Sequence, residues 1–282
     1  MNVKKMRTVT LAVLFFLSWT ISVNAQTIFE EDKNSHLAWA KKPVKLTSPP
    51  LQNVSGPSLI KLFHVTTALK IQSVAYANGI FFVGVITPED LTIIYKYDIF
   101  GHELSHTRIL PISHAASISA DPLSGHLFVT NGGGRRPTKV YEVDFEKQQI
   151  VSIVDLSSLG HSGVSAFDAA FGNLWVETAP NDYGAQTFSY CDLKGHVLKQ
   201  FSLTNQGRPQ GIDYRNGLIY LYTDKKISVI STNGNVLRLI KIKEPGESEG
   251  MVILPSGNIV VGFSRKMSSG YSNDFFVIKG FQ

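Results

Sequence analysis

Residues 73–84 read SVAYANGIFFVG: a short apolar strand, a turn with glycine, and a second strand rich in aromatic and β-branched residues. Four further segments repeat this pattern: SISADPLSGHLFVT (117–130), AFDAAFGNLWVE (166–177), GIDYRNGLIYLYT (211–223) and GMVILPSGNIVVG (250–262). Their turn glycines are spaced by 46, 47, 45 and 40 residues. One supersecondary unit recurring at such a period indicates a repeat architecture.

A second hairpin follows the first in each of the first four units. The predicted strand pairs are 93–98 with 103–110, 139–144 with 150–156, 187–192 with 197–203, and 227–231 with 236–242. Four antiparallel strands in each repeat are typical of a β-propeller blade. A two-sheet sandwich is the alternative, but it does not explain why the same turn recurs at the same place. The sequence therefore predicts an all-β, five-bladed propeller.

The last unit has three strands, and the strand that would complete it lies at the other end of the domain. Residues 58–65, SLIKLFHV, resemble the fourth strands VLKQFSL and VLRLIKI of earlier units. We expect this segment to close the last blade, because closure removes an exposed sheet edge. The propeller then spans residues 58–282. Residues 26–57 contain Pro-Pro and Gly-Pro and no hairpin pattern, and we expect an extended lead that packs outside a blade or stays mobile.

The N-terminus has the pattern of a secretory signal peptide. Lys4, Lys5 and Arg7 precede the 15-residue apolar run Val9–Val23, and Ala25 stands at a small-residue cleavage site. The alternative is an uncleaved membrane anchor, although the run is shorter than the ~20 residues of a bilayer span. We predict an exported protein, periplasmic or secreted, with residues 1–25 removed and no stable membrane insertion afterwards.

Charge and cysteine content exclude two classes of protein. The whole chain carries +5, and without the three positive charges of residues 1–25 the remainder carries +2. A nucleic-acid-binding protein normally has a concentrated basic stripe, which is absent here, so no nucleic-acid partner is predicted. Cys191 is the single cysteine, so the fold is not held by an internal disulfide; we interpret Cys191 as a small core residue.

The glycine turns followed by aromatic strands, and Glu249-Gly250 at the start of the last unit, support a resemblance. The chain resembles exported bacterial propellers, a class that includes the calcium-dependent lactonase and phosphotriesterase-like superfamily, periplasmic seven-bladed propellers and five-bladed calcium-dependent nucleotidases. In the lactonase-like family, a glutamate in such a Glu-Gly pair holds a central metal. The resemblance thus implies that Glu249 is a metal ligand, with calcium or another divalent cation as the cofactor.

The loops that enter the innermost strands should meet near the propeller axis, where ligands commonly bind. Equivalent positions on four blades carry His114, His161, Arg208 and Glu249, with Gln210 beside Arg208. Histidine and carboxylate together could move protons or bind a cation, with His114 or His161 as the base and Glu177 as a further metal ligand. The alternative is a polar channel lined with water.

Two loops between second and third strands add candidate ligand-binding residues. Residues 131–137, NGGGRRP, combine backbone N–H groups with Arg135 and Arg136, a composition suited to an anion; a flexible connecting loop is the alternative. Asp182 and Tyr183 lie in another such loop, where an aromatic ring could stack on a sugar. These loops differ between blades, which argues against a repeated sugar pocket.

These features favour a non-enzymatic binding protein that holds a small molecule or a protein at the central face. The alternative is a metal-dependent hydrolase of lactones, esters or phosphate esters. Nucleophilic catalysis is not predicted, because the chain has no Gly-x-Ser-x-Gly elbow.

Overall fold

The computed structural model describes residues 52–65, 67–180, 184–224, 226–243 and 246–278. Within these ranges the regular structure is almost entirely strand, with a short 3₁₀ turn at Ser157–Leu159. The strands, in chain order, are β1 (Gln52–Ser55), β2 (Leu59–Val65), β3 (Lys70–Ala77), β4 (Ile80–Ile86), β5 (Leu91–Tyr97), β6 (Glu103–His106), β7 (Leu110–Ser113), β8 (Ser117–Ala120), β9 (Leu127–Thr130), β10 (Lys139–Asp144), β11 (Gln149–Asp155), β12 (His161–Asp168), β13 (Asn173–Ala179), β14 (Gln186–Cys191), β15 (Val197–Leu203), β16 (Pro209–Arg215), β17 (Leu218–Thr223), β18 (Lys226–Ser231), β19 (Val236–Lys241), β20 (Glu247–Ile253), β21 (Ile259–Met267) and β22 (Gly270–Ile278).

The strands form five antiparallel sheets, which are the blades of a ring, and the predicted five-bladed propeller is confirmed. Blade 1 contains β3 to β6, with β7 also paired to β5; blade 2 contains β8 to β11; blade 3 contains β12 to β15; blade 4 contains β16 to β19; and blade 5 contains β20 to β22 with β2. In every blade the first strand of the repeat is innermost.

The core consists of five apolar clusters, one at each interface between neighbouring blades. Between blades 3 and 4, for example, Trp175 of β13 packs with Ile212 of β16 and Leu221 of β17. Cys191 lies in the cluster between blades 2 and 3 and is fully buried, as its core interpretation requires. Alternating strand residues fill the clusters on the two sides of each sheet.

The N-terminal strand β2 closes the ring as predicted. It pairs in antiparallel register with β22, from Leu59 opposite Ile278 to Val65 opposite Asn273. The segment just before it also has a structural role, because β1 adds to the outer edge of blade 4 in parallel with β19. The predicted signal peptide and residues 26–51 of the lead lie outside the described residues and stay predictions.

The strand directions give the ring two different faces. The axial face carries the entrances to the innermost strands and the loops between second and third strands. The turn face carries the turns between first and second strands, such as Asn78-Gly79, and in blades 1 to 4 also the turns between third and fourth strands, such as Phe100-Gly101. In the described part of the chain, no helix has the length and hydropathy needed to cross a membrane.

Candidate functional site

The innermost strands are irregular where they reach the axial face. The pairing of the first two strands shifts register between Ile71 and Ser73, His161 and Val164, Pro209 and Gly211, and Ser248 and Met251. In blade 2 the irregular step precedes β8, where His114 and Ala115 both have positive φ. Such bulges turn side chains away from the regular sheet direction and are common beside binding sites.

These irregular segments surround a small cavity of about 50 Å³ on the axis. Every blade contributes a pair of lining residues spaced two apart in sequence: Lys70 and Gln72, His114 and Ala116, Ser162 and Val164, Arg208 and Gln210, and Glu247 and Glu249. Gly133, Gly134 and Pro209 complete the wall. The spacing follows from the alternation of side chains along an extended strand. The cavity therefore has two layers: the first residue of each pair forms the outer layer and the second forms the inner layer. Most of the polar groups lie in the outer layer.

A lysine joins the two glutamates of blade 5 across the boundary to blade 1. Lys70 Nζ lies 2.6 Å from Glu249 Oε1 and 2.8 Å from Glu247 Oε2. Burial alone would lower the pKa of Lys70, but the two carboxylates outweigh it and the pKa is raised. Burial raises the pKa of Glu249, against the opposing effect of Lys70. The ammonium group of Lys70 thus links blades 5 and 1 through both carboxylates.

His114 lies beside an ion pair between the first two blades. Its Nδ1 is 3.5 Å from Asp90 Oδ1, and Arg136 Nη2 is 2.5 Å from Asp90 Oδ2. Burial lowers the pKa of His114, and the charge of Arg136 adds to this effect while Asp90 opposes it. A neutral imidazole at the cavity wall can accept a hydrogen bond or a proton.

The glycine-rich loop at residues 131–137 lies against this histidine. A Cβ atom on Gly133 would approach His114 Cδ2 to 2.8 Å, so the ring and the loop backbone are in direct contact. The Ser162 hydroxyl donates to the Gly134 carbonyl oxygen, and Ser162 itself has a φ of 57°. The loop thus packs between blades and presents Gly133 and Gly134 to the cavity, which is a structural use of its glycines.

The structure brings some of the predicted site residues together and separates others. His114, Arg208, Gln210 and Glu249 line the axial cavity. Arg136 does not line it, but pairs with Asp90, which lies 3.5 Å from His114 Nδ1. His161 and Glu177 do not line it, and Arg135 is exposed on the loop. Asp182 and Tyr183 lie outside the described residues.

The carboxylates of the cavity do not fit the central cation that the lactonase-like resemblance implies. Both glutamates of blade 5 are paired with Lys70, whose ammonium group stands where a cation would have to bind. Across the described residues, no three His, Cys, Asp or Glu side chains come together in a way that could hold a metal ion. A calcium site thus requires Lys70 to move away.

Sequence reasoning missed Lys70 and Gln72 as cavity residues. Both stand at the start of an innermost strand, at the position that Glu247 and Glu249 occupy in blade 5. Aligning the repeats by this position would have found them, because the ring places equivalent residues around one axis. Ser162 was missed as well; the bulge turns this residue, and not its neighbour His161, toward the cavity.

Comparisons with known proteins identify similar folds but do not assign the chain to a family. No protein-family model matches the chain, and no curated protein matches it. Among solved structures, the chain is similar to the tail fiber of Staphylococcus aureus phage P68, with 13% identity over 80% of this chain and 53% of that chain and a TM-score of 0.59. The chain therefore spans about half the length of the tail fiber.

Two further solved structures show lower similarity. A chain of a nidogen/laminin complex has 13% identity over 70% of this chain and 73% of that one, with a TM-score of 0.49. A streptogramin B lyase has 14% identity over 73% of this chain and 65% of that one, with a TM-score of 0.39. The resemblance to propeller proteins is confirmed at the level of the β-propeller fold.

Proposed function

We propose that this protein is a binding protein whose ligand inserts a small polar group into the axial cavity. The observation that carries the proposal is the contribution of paired lining residues by all five blades to one polar cavity. A volume of about 50 Å³ is on the scale of one or two water molecules, each of which occupies roughly 30 Å³. The rest of the ligand, whether a small molecule or a protein loop, would lie over the surrounding loops.

The chemistry of the wall suits a group that both donates and accepts hydrogen bonds. Arg208 supplies N–H donors, Glu247 supplies acceptor oxygens, and His114 can act as either. Glu247 begins β20, Arg208 directly precedes β16 and His114 precedes β8, so the closed ring holds the backbone of all three in place before a ligand binds. His114 and Ser162 hold positive φ values at a cost of roughly 1–2 kcal/mol each, which is typical of functional sites.

A hydrolase of lactones, esters or phosphate esters is the second candidate function. One observation favours it: burial lowers the pKa of His114, and Asp90 lies 3.5 Å from its Nδ1, an arrangement suited to a general base. A central metal ion would have to displace Lys70 from Glu249. Lys70→Met is therefore expected to create or strengthen cation binding if the metal-dependent form of this function is correct.

Thermal unfolding with small probes tests the binding proposal. We expect acetate, inorganic phosphate or methylammonium to raise the unfolding midpoint, since a ligand that binds the folded state stabilises it by ~2.7 kcal/mol at a hundredfold excess over Kd. Arg208→Gln and Gln210→Ala should abolish the shift. Lys199→Ala, an exposed change on an outer strand, should leave it unchanged. The proposal fails if no probe shifts the midpoint and none perturbs NMR signals of the cavity residues.

The same titration with Ca²⁺, Mg²⁺ and Zn²⁺ separates the two candidates. A cation-dependent rise in the midpoint that disappears in Glu249→Gln supports the metal-dependent hydrolase and calls for an ester and lactone screen. Equal midpoints with each cation and with EDTA, in the wild type and in Lys70→Met, rule out the metal-dependent form.

We also propose that the protein is exported. The support is the charged start and the apolar run at Val9–Val23 of the sequence, which lie outside the described residues. N-terminal sequencing of protein from an export-competent host should show a chain that begins at Gln26. A chain that retains Lys4 and Lys5 would contradict cleavage.

A further inference from the structure

The turn face carries a groove that is far larger than the axial cavity. It lies between blades 1 and 2 and has a volume of about 490 Å³. That volume is within the range of ~300–1,000 Å³ that is usual for small-molecule sites. The hairpin turns at Asn78 and at Ser124-Gly125 border the groove, so it lies at the opposite end of the strands from the axial cavity.

The floor of the groove is apolar. Ile80 and Phe82 of β4 face Ala120 of β8, and Phe82 also packs edge to face against Phe145 with ring centroids 5.4 Å apart. The two hairpins that form the walls are tied together, because Asn78 Nδ2 donates to the carbonyl oxygen of Pro122 at 3.3 Å. The floor is thus preformed and offers apolar contact to a side chain of a ligand.

Two charged side chains of opposite sign stand deep in this groove. Lys96 on β5 is 24% exposed, and Asp144 at the end of β10 is 11% exposed. Each is paired with an exposed side chain of the turn after β10: Lys96 with Glu146, which is 77% exposed, and Asp144 with Lys147, which is 70% exposed. The two nitrogen–oxygen distances are both 2.8 Å.

The exposed partners, Glu146 and Lys147, are adjacent in sequence. Glu146 presents its carboxylate to Lys96, and Lys147 presents its ammonium group to Asp144. Surface side chains of this kind exchange readily, because exposed ion pairs contribute only ~0–1 kcal/mol. His126 leaves Asp144 accessible, since its Nε2 is 3.9 Å from Asp144 Oδ2 and its Nδ1 is held by Glu142 at 2.6 Å. A ligand with both charges can therefore replace Glu146 and Lys147.

We propose that this groove binds a zwitterionic amino acid with a large apolar side chain. The ligand carboxylate pairs with Lys96, its ammonium group pairs with Asp144, and its side chain lies on Ile80 and Phe82. The Phe145 ring helps to position Lys96, because Lys96 Nζ lies 5.5 Å from the ring centroid. This site is independent of the binding function proposed for the axial cavity.

Isothermal titration with L-phenylalanine as the probe tests the proposal. N-acetyl-L-phenylalanine lacks the cation, L-phenylalaninamide lacks the carboxylate, and glycine lacks the apolar group. We expect each to bind about tenfold more weakly than L-phenylalanine, as is usual when one partner of a charge pair or an apolar anchor is lost. Equal affinity of L-phenylalanine and both blocked analogues would overturn the proposal.

Variants on the two sides of each charge pair give opposite effects. Lys96→Met and Asp144→Asn should weaken L-phenylalanine binding about tenfold. Glu146→Gln and Lys147→Gln remove the internal competitors and should strengthen it about two- to fivefold. Asp192→Asn is the matched control for Asp144→Asn, because Asp192 holds the equivalent turn in blade 3 and lies outside the groove.

If the substitutions acted only by disturbing the structure, every groove variant would bind L-phenylalanine more weakly. Tighter binding by Glu146→Gln would therefore show that the ligand competes with Glu146 for Lys96. No heat of binding at ~10 mM L-phenylalanine, in the wild type and in the Glu146→Gln/Lys147→Gln double variant, would disprove the site. NMR perturbations confined to the axial cavity would also disprove it, and would leave the binding function of that cavity standing.

Discussion

Glu177 is a fully buried carboxylate on β13, next to the interface between blades 3 and 4. It lies two residues after Trp175, and side chains two apart point the same way from a strand. Among the described residues neither carboxylate oxygen has a well-formed hydrogen bond, although the nearby Gln186 side chain acts to lower the pKa of Glu177. Burial dominates and raises the pKa to about 8, from an ordinary value of 4.5.

The first prediction concerns the pH dependence caused by this carboxyl group. Between about pH 4.5 and 8 the unfolded chain has released the Glu177 proton while the folded protein retains it. The free energy of unfolding therefore falls as the pH rises through this window, by at most ~1.4 kcal/mol per pH unit. Glu177→Gln should remove this slope. The difference in the free energy of unfolding, variant minus wild type, should therefore be more positive at pH 8 than at pH 5.

Urea unfolding at the two pH values measures the effect. Asp213→Asn is the companion variant, because burial raises the pKa of Asp213 only to about 6 and its slope should end near that pH. If the free energies of unfolding of Glu177→Gln and the wild type differ by the same amount at pH 5 and pH 8, Glu177 is not the source of the pH dependence.

Aspartates close the turns between third and fourth strands. Asp98 Oδ1 accepts hydrogen bonds from the backbone N–H groups of Phe100 and His102, at 2.9 and 2.8 Å. Asp192 does the same with Lys194 and His196, both at 2.9 Å, and Asp144 accepts from Lys147. These bonds give the three aspartates a structural role at their turns, and such a role can be predicted from the sequence because turn bonds are local.

At the scale of the strand, β20 approaches β3 so closely at Gly250 that no side chain fits between them. Gly250 has a φ of 69°, and a Cβ atom there would lie 2.8 Å from Ser73 Cα on β3. Gly250 thus allows the innermost strands of blades 5 and 1 to pack directly where the ring closes, beside the glutamates of the axial cavity.

The second prediction compares two glycines of blade 5. Gly257→Ala should cost about 1 kcal/mol, since its φ of 87° is unfavourable but nothing lies within 4 Å of the added Cβ. Gly250→Ala adds a backbone clash to a similar φ and should cost about 3 kcal/mol. Chemical unfolding of both variants gives the difference; equal losses would show that β20 can move away from β3 without cost.

The third prediction concerns the packing of the closing strand β2. Phe63 is buried, and its ring lies 5.2 Å from that of Phe81 and 5.0 Å from that of Phe275, so it joins blades 1 and 5. Phe63→Ala should destabilise the protein by about 3–5 kcal/mol. Phe171→Ala, at a turn where the ring is 76% exposed, should change stability by less than about 0.5 kcal/mol.

Denaturant titrations of both phenylalanine variants check this contrast. A loss below about 1 kcal/mol in Phe63→Ala would mean that β2 is not needed for the closed ring.

For the whole molecule, ring closure depends on one strand from the N-terminal side of the domain. β2 is held by backbone pairing with β22 and by Asp274, which lies 2.7 Å from Lys61 Nζ and 2.8 Å from His64 Nδ1. β1 adds only to the outside of blade 4. The two N-terminal strands therefore differ in importance for the ring.

The fourth prediction follows from this difference. A chain that begins at Gly56 loses β1 and should remain folded and monodisperse. A chain that begins at Thr67 also loses β2, which exposes the edge of β22 and the apolar surface around Phe275, so it should unfold or aggregate. Circular dichroism and size-exclusion chromatography distinguish these outcomes, and a stable monomeric chain from Thr67 would contradict the closure.

Much of this architecture could be predicted from the sequence, because its determinants are local. The turn glycines, the alternating strands after Asn78-Gly79 and Asn216-Gly217, and the recurring aspartates each act within a few residues. The period of the repeats predicts the number of blades. Because the last unit lacks a fourth strand, the sequence also predicts that residues 58–65 close the ring. The pairing of β1 with β19 had no such local signal.

What the sequence alone determined is therefore the scaffold: five blades, their order, and a ring closed by the N-terminal strand, since repeats and turns depend on neighbouring residues. Only the tertiary structure decided which side chains meet. Lys70 and Glu249 are far apart in the chain, and closure of the ring brings them within 2.6 Å. The bulges turn Ser162, and not His161, toward the axis. The groove of Lys96 and Asp144 exists because two blades pack side by side, and such contacts depend on the closed ring as a whole.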